Sequence, residues 1–343
     1  MRAVVVGVGA LGARAARQLL TLPGLSDLGI FDPDDDRRET VVTSLGAPAR
    51  SCTGSLPAIF KQVDLVVLSG SQSHGPDAER ALRAGAHVVS SASSITDTEA
   101  LLGLDALARS VGRNLVVGAG FAPGLSCVLA AFGARGLARI DEVHVARVGT
   151  GGPACARQLR QARRGVSREW SDSSWRDARH GSGKELVWFP DPIRAVDCHR
   201  AALADPLLLM SVFANASRIS ARVGVIPGGR RPIDWLRRWQ SENDMGAIRV
   251  EVRGVTDDDE AVTRVYGAID RPAVAGGALA AVGGQWAIED RLGGAGASGL
   301  ASIGHPGRFL ADLAARGVKA AVFQGGYSPP AERSPANSEI LSI

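Results

Sequence analysis

Apolar positions form short unbroken runs in the first third of the chain and alternate with polar ones later, and the two patterns predict two kinds of sheet. The runs are Ala3-Val4-Val5-Val6, Leu28-Gly29-Ile30-Phe31, Leu65-Val66-Val67-Leu68, His87-Val88-Val89 and Asn114-Leu115-Val116-Val117. Strands of this kind, apolar on both faces, suit a parallel sheet covered by helices on both sides. Helix-period stretches separate them: Ala10 to Leu20, Pro76 to Ala84, and one over Glu99 to Val111 that Thr96 or Asp97 would cap. Strand and helix alternate, which predicts an α/β domain over residues 1–124, a Rossmann-type doubly wound parallel sheet.

After Gly124 the pattern changes. Leu125 to Leu137 reads as a helix and Glu142 to Val148 as an alternating strand. Ile248 to Gly254 and Ala261 to Ile269 read as an antiparallel hairpin across the acidic turn Thr256-Asp257-Asp258-Asp259. These elements predict an α+β domain over residues 125–300. Within it, Ala273 to Leu292 is an alanine-rich helix and Gly293 to Gly304 a flexible connection. Pro306 to Arg316 reads as a helix with proline in its first turn, and Ala320 to Phe323 as a last strand. Residues 301–326 are expected to return to the first domain, and the Pro- and Ser-rich tail 327–343 to be disordered.

The strand-to-helix junction at the start carries the first chemical signal. Gly7-x-Gly9-x-x-Gly12, enclosing Ala10 and Leu11, lies between the first strand and the first helix. Gly7 would allow the tight turn, Gly9 would leave the backbone bare for a pyrophosphate, and Gly12 would let helix and strand pack closely. The helix N-terminus would hold the phosphates. Asp32 closes the next strand, where a carboxylate accepts hydrogen bonds from the adenosine ribose. Its charge favours NAD over NADP. Arg37 and Arg38 follow in Asp32-Pro33-Asp34-Asp35-Asp36-Arg37-Arg38 and could instead pair with a 2′-phosphate. The loops Ser69-Gly70-Ser71, Ser90-Ser91-Ala92 and Gly118-Ala119-Gly120-Phe121 should line the cofactor crevice, since ligands lie beyond the carboxyl ends of such strands.

Composition narrows the class. The chain has 343 residues, 45% apolar and 22% charged, with a formal net charge of +4, an ordinary globular profile. Cys52, Cys127, Cys155 and Cys198 form no C-x-x-C pair, and the chain opens on a core strand, which together suggest a reducing, cytoplasmic setting. No apolar run reaches the roughly 18 residues needed to cross a bilayer. Nearly all the basic residues are arginine, densest in Arg157 to Arg179 with Trp170 and Trp175, a mixture that could contact nucleic acid. Interrupting serines and acids argue against a nucleic-acid partner and for a solvated face or a carboxylate clamp.

At Val116 to Ala130 (VVGAGFAPGLSCVLA) the chain resembles the saccharopine dehydrogenase-like superfamily, which includes saccharopine reductase, lysine 6-dehydrogenase and carboxynorspermidine dehydrogenase. The resemblance takes in Gly7 to Gly12, Ala84 to Ser91, the Phe121-Ala122-Pro123-Gly124-Leu125 loop, the Ile248 to Ile269 hairpin and the helix after it. It implies a pyridine-nucleotide oxidoreductase working at a carbon–nitrogen bond of a small amino-acid-like substrate. It also implies an inserted α+β catalytic and dimerisation domain, a homodimer, and Pro123 at the cofactor. Two stretches depart from the pattern: Ser90-Ser91-Ala92-Ser93, and Gly181 to Pro192. Substrate identity is therefore not carried over, and a catalytically silent dinucleotide-binding sensor or scaffold is the alternative.

Such chemistry needs a proton donor or acceptor for nitrogen and a cation for a carboxylate. The candidates are His180 and Lys184, around Gly181-Ser182-Gly183, and the cluster Asp197-Cys198-His199-Arg200. The Gly-Ser-Gly-Lys loop either covers a ligand or is a mobile surface loop. Asp197 and His199 share a face only if they lie on a strand. His74 follows the third strand at the crevice end, His87 reads as structural, His144 as solvent-facing, and His305 lies at a helix start. Cys198 reads as a small buried group, and the Cys and His spacing offers no metal site.

Overall fold

The unbroken apolar runs build one sheet. The computed structural model describes residues 1–226, 245–318 and 320–323. Its first part runs β1 (Arg2–Val6), α1 (Ala10–Leu19), β2 (Asp27–Phe31), α2 (Asp35–Leu45), β3 (Ala49–Ser51), α3 (Leu56–Phe60), β4 (Leu65–Leu68), α4 (Gly75–Arg83), β5 (His87–Ser90), α5 (Ile95–Leu102), α6 (Asp105–Ser110) and β6 (Asn114–Val117). These strands pair in parallel in the order β6-β5-β4-β1-β2-β3. The chain winds outward from β1 in both directions, so the crevice opens beyond the carboxyl ends of β1 and β4. Every residue of β4 is buried, and burial stabilises each such valine or leucine by about 1.5–3 kcal/mol relative to exposure.

The helix expected over Glu99 to Val111 is two helices, because Gly103 closes α5 before α6 begins. Its cap is Ser94, whose Oγ accepts from the Asp97 N–H at 3.2 Å. Asp97 is drawn instead to the start of α4, where it accepts from the N–H of His74 and the hydroxyl of Ser73.

The alternating segments build a second, mixed sheet. It is made from α7 (Leu125–Ala134), β7 (Arg139–Val148), α8 (Pro153–Ala162), β8 (Ser167–Ser171), β9 (Ser174–Ala178), β10 (Glu185–Trp188), β11 (Ala195–Arg200), α9 (Asp205–Met210), β12 (Arg218–Gly224), β13 (Gly246–Val255) and β14 (Ala261–Asp270). β7 is central, parallel to β12 and antiparallel to β13. Val143 and Val145 of β7, with Ile248, Val250 and Val252 of β13, turn one face into the main core beneath α7. The acidic turn joins β13 and β14 as expected, with Asp259 at φ 59°.

The last third crosses back. α10 (Pro272–Ile288) lies against α1 with backbones nearly touching: a Cβ on Gly277 would stand 2.6 Å from the Arg14 Cβ, and one on Gly276 2.8 Å from Leu11 Cδ1. β15 (Gly296–Gly299) is a seventh parallel strand, beside β6, where glycine content suggested a flexible connection. Gly299 has a packing reason to be small, since Leu208 of α9 lies 3.0 Å from where its Cβ would be. α11 (Pro306–Ala314) then packs on α7 and α10, with Phe309 edge-on to Trp286 at 5.0 Å. β16 (Ala320–Phe323) pairs with β14 of the second sheet, so the end of 301–326 does not return to the first domain as expected. The expected tail at 327–343 lies outside the described residues.

Candidate functional site

The glycine turn is built as a cradle. Gly7 has φ +87°, and a Cβ there would stand 2.5 Å from Gly70 Cα, a contact that L side chains cannot make. A Cβ on Gly12 would be driven into the Gly7 carbonyl, while Gly9 faces open space. No side chain caps α1, which leaves its N-terminal N–H groups for an anion. Ser69 Oγ donates to the Gly7 carbonyl at 2.6 Å and ties the loop after β4 to this turn. These residues fit a dinucleotide: open space at Gly9, closed packing at Gly12, and Ala10 and Leu11 opening the helix.

Asp32 is buried at the end of β2. Its Oδ2 accepts from the Val8 N–H at 2.8 Å, and its Oδ1 from the Asp34 N–H and from Arg37. Arg37 also bonds Asp34 at 2.8 Å, and Arg38 is buried against Asp35, Ser51 and the Asp32 carbonyl. Both arginines that could have met a 2′-phosphate are thus engaged by this acidic run, which keeps the pocket suited to a ribose hydroxyl.

A cleft of about 310 Å³ opens where the two sheets meet. Ser69, Gly70, Ser71, Ser91, Ala92, Gly120, Phe121 and Pro123 line it from the side of the first sheet, together with Leu11, whereas Ser90, Gly118 and Ala119 of the same loops do not. The loop from Gly118 to Leu125 folds on itself. Gly124 at φ +125° has no room for a Cβ against Gly120, and Leu125 donates its N–H to the Gly120 carbonyl at 3.1 Å.

His74 lines the cleft but is fully committed. Its Nε2 faces the Gly70 carbonyl at 3.1 Å, an acceptor only, so Nε2 carries the hydrogen and Nδ1 accepts from Ser90 Oγ at 2.7 Å. Burial holds its pKa below the ordinary imidazole range, against the pull of Asp97. The neutral ring therefore fixes the two loops instead of trading protons.

The far wall holds what the sequence reading missed. Arg147, at the end of β7, lines the cleft with Thr150 and with Cys155 and Gln158 of α8. It is half-buried, donates through Nη1 to the Ala122 carbonyl of the Pro-Gly-Leu loop, and has a buried Nε without a partner. Behind it lies Asp205, fully buried at the start of α9, whose Oδ1 accepts from Ser126 Oγ at 2.6 Å. Burial pushes the Cys155 thiol up, and Arg147 pulls it back in part. A signal for Arg147 existed: it falls in phase with Val143 and Val145, an arginine on the core-facing side of an alternating strand.

None of the four expected catalytic residues lines this cleft. β11 is a strand, so Asp197 and His199 do share a face, but Asp197 is exposed and pairs with Lys184 at 2.8 Å in a cross-strand surface contact. His199 Nδ1 is buried without a partner, away from the cleft. His180 is exposed, and the Gly-Ser-Gly loop is stitched to β11, with Gly181 N–H on the Arg200 carbonyl and Arg200 N–H on the Ser182 carbonyl. The loop is a structural turn, because Arg200 fills the space above Gly183. His144 is not solvent-facing: it lies between Ser220 Oγ at 2.8 Å and Glu142 at 2.9 Å. The stretch Arg157 to Arg179 divides in two. Its hairpin arginines are neutralised, Arg168 by Glu99 and Asp177 and Arg176 by Asp172, and Trp170 stacks edge-on with Trp175. Among the described residues no cluster of His, Cys, Asp or Glu could hold a metal, and no helix is long and apolar enough to cross a membrane.

Residues 1–122 match the model of an oxidoreductase family described by its NAD-binding Rossmann fold. No curated protein matches the chain in sequence. Among solved structures, apo saccharopine dehydrogenase (L-Glu forming) from Saccharomyces cerevisiae is similar with a TM-score of 0.73 at 13% identity, covering 94% of this chain and 99% of that one. GenD2 from gentamicin A biosynthesis, solved with NAD, has a TM-score of 0.48 at 16% identity over 95% and 97% of the two chains. UDP-N-acetylglucosamine 3-dehydrogenase GnnA from Acidithiobacillus ferrooxidans has a TM-score of 0.47 at 16% identity over 92% and 95%. The first domain is thus an NAD-binding Rossmann domain of the oxidoreductase type, and the whole chain shares its fold with saccharopine dehydrogenase.

Proposed function

We propose that this protein is an NAD(P)-dependent oxidoreductase, with NAD preferred, that oxidises an amine or reduces an imine at a carbon–nitrogen bond of a small amino-acid-like substrate. The observation that carries the proposal is Arg147: a half-buried guanidinium with an unpartnered Nε on the wall of the cleft where the nucleotide loops meet the second sheet. A guanidinium with a free Nε in such a site is suited to orienting a carboxylate. NAD, when bound, supplies the hydride transfer. The chain's own residues do the rest. The Gly7 to Gly12 cradle and Asp32 bind the nucleotide, His74 and Ser69 hold the loops that position it, and Arg147 fixes the substrate's carboxylate opposite. The reading carries with it a reducing, cytoplasmic setting, in keeping with four free cysteines, and a homodimer formed through the second domain.

One observation favours the alternative, a dinucleotide-binding sensor without turnover. His74 and Asp97, the lining imidazole and carboxylate, are spent on hydrogen bonds within the protein. A screen of amino acids, polyamines and keto-acid plus amine pairs with both cofactors, followed by nicotinamide absorbance, decides between them. Substrate-dependent change in absorbance supports the oxidoreductase. Tight NADH binding with no turnover in any arm supports the sensor.

A further inference from the structure

Arg147 and Asp205 form an unfinished pair. Asp205 is wholly buried, and one of its oxygens is satisfied by Ser126 while Oδ2 has no partner. Arg147 is the charge that acts on it, yet Arg147 Nε is also unpartnered, and no direct hydrogen bond joins the two. Arg147 faces the cleft and Asp205 faces only protein: Ser126 and Cys127 of α7 lie on one side and Arg147 of β7 on another. Arg147 and Asp205 together are nearly neutral. A ligand carboxylate docking on Arg147 would leave two carboxylates sharing one guanidinium in a dry site, a net negative charge that burial opposes.

We propose that Asp205 is a positioning residue that takes up one proton when a carboxylate binds Arg147, so that the cleft accepts a carboxylate ligand together with a proton. This rests on the assignment of Arg147 as the carboxylate partner, and goes beyond it by naming the group that keeps the charge balanced. Three features support Asp205 in this role. Burial pushes its pKa upward, with Arg147 and Ser126 opposing. Ser126 can accept or donate, so the contact survives protonation. Among the described residues, Arg147 is the charged side chain that acts on Asp205.

The test uses the full chain with NADH bound and 2-oxoglutarate and pyruvate as probes, titrated calorimetrically. In the wild type, binding in two buffers of different ionisation enthalpy should reveal uptake of about one proton, and affinity should fall by up to about tenfold per pH unit as pH rises through the window between the free and bound pKa of Asp205. In Asp205→Asn, which keeps an acceptor for Ser126, proton uptake should vanish, the pH dependence should flatten, and affinity at pH 8 should rise about tenfold. A merely structural Asp205 would give weaker binding in this variant. The proposal is overturned if wild-type binding takes up no proton, if neither probe binds, or if Asp205→Asn weakens affinity while leaving the pH slope unchanged. The wild-type proton count needs no variant to fold. Absence of turnover in the nicotinamide screen would remove the oxidoreductase reading without altering these binding results.

Discussion

The two walls of the cleft are made in different ways. On the nucleotide side, each functional position answers a demand of the local backbone: Gly7 needs its positive φ, Gly12 has no room for a Cβ, and Asp32 bonds the Val8 N–H across neighbouring strands. On the opposite wall, the one local mark of Arg147 is that it breaks the apolar phase of β7. Its setting comes from being brought against Ala122 and Asp205, residues of other elements far along the chain. Cofactor sites of this kind are spelled by short motifs, whereas substrate sites are assembled by tertiary contacts.

The sharpest way to break this comparison is at Arg147. Arg147→Ala should lower kcat/KM for the substrate found in the screen on the order of 10³-fold, as expected when a desolvated charge loses its partner. NAD affinity, measured by quenching of tryptophan fluorescence, should stay within about twofold. A parallel loss of NAD binding would mean the two walls are not separable. The converse variant is Gly12→Val, which drives a side chain into the Gly7 carbonyl. Overpacking of about 1–3 kcal/mol should weaken NAD by up to about 100-fold while the second domain keeps its fold, as read by circular dichroism.

A smaller effect separates the walls by pH. His87 on β5 accepts the Asn114 N–H at 3.2 Å, and burial, aided by Arg113, lowers its pKa to about 4. Its folded pKa lies below the ordinary value of about 6.5, so the stability it contributes is present above that value and is lost as pH falls from there towards 4. Thermal unfolding should drop by a few degrees over that range, and His87→Asn, an acceptor that does not titrate, should flatten part of the drop. The smallest effect is expected at the exposed pair Lys184 and Asp197. Lys184→Met and Asp197→Asn should leave kcat/KM within about twofold and stability within about 0.5 kcal/mol. A large loss of turnover would return these residues to the active site.

These contrasts explain what the sequence made legible. The unbroken valine runs and the glycine spacing identify the parallel sheet and its crevice because both follow from period and sterics. The glycine-rich β15 was hidden because its strand character comes from pairing with β6, and small residues suit both a loop and a crowded sheet edge. The histidine and lysine candidates rest on residue type, which ignores placement: His180 and Lys184 lie exposed before β10, and His199 on β11 buries its Nδ1 away from the cleft. Arg147 was visible in principle, as the residue that breaks the apolar phase of β7, but its meaning depends on Asp205, fifty-eight positions later in the sequence.

The contact of α10 on α1 carries a consequence for how the protein is made. The nucleotide-binding face leaves the ribosome before the second domain, yet α1 lacks its glycine-faced neighbour, and the sheet its β15 edge, until residues 272–299 are synthesised. At about 5–20 residues per second, that leaves an interval on the order of ten seconds or more. During this time the second domain must emerge while the first remains incomplete. Completion of the nucleotide domain therefore waits for residues 272–299, and a nascent chain closes that domain only after most of the second has already been made.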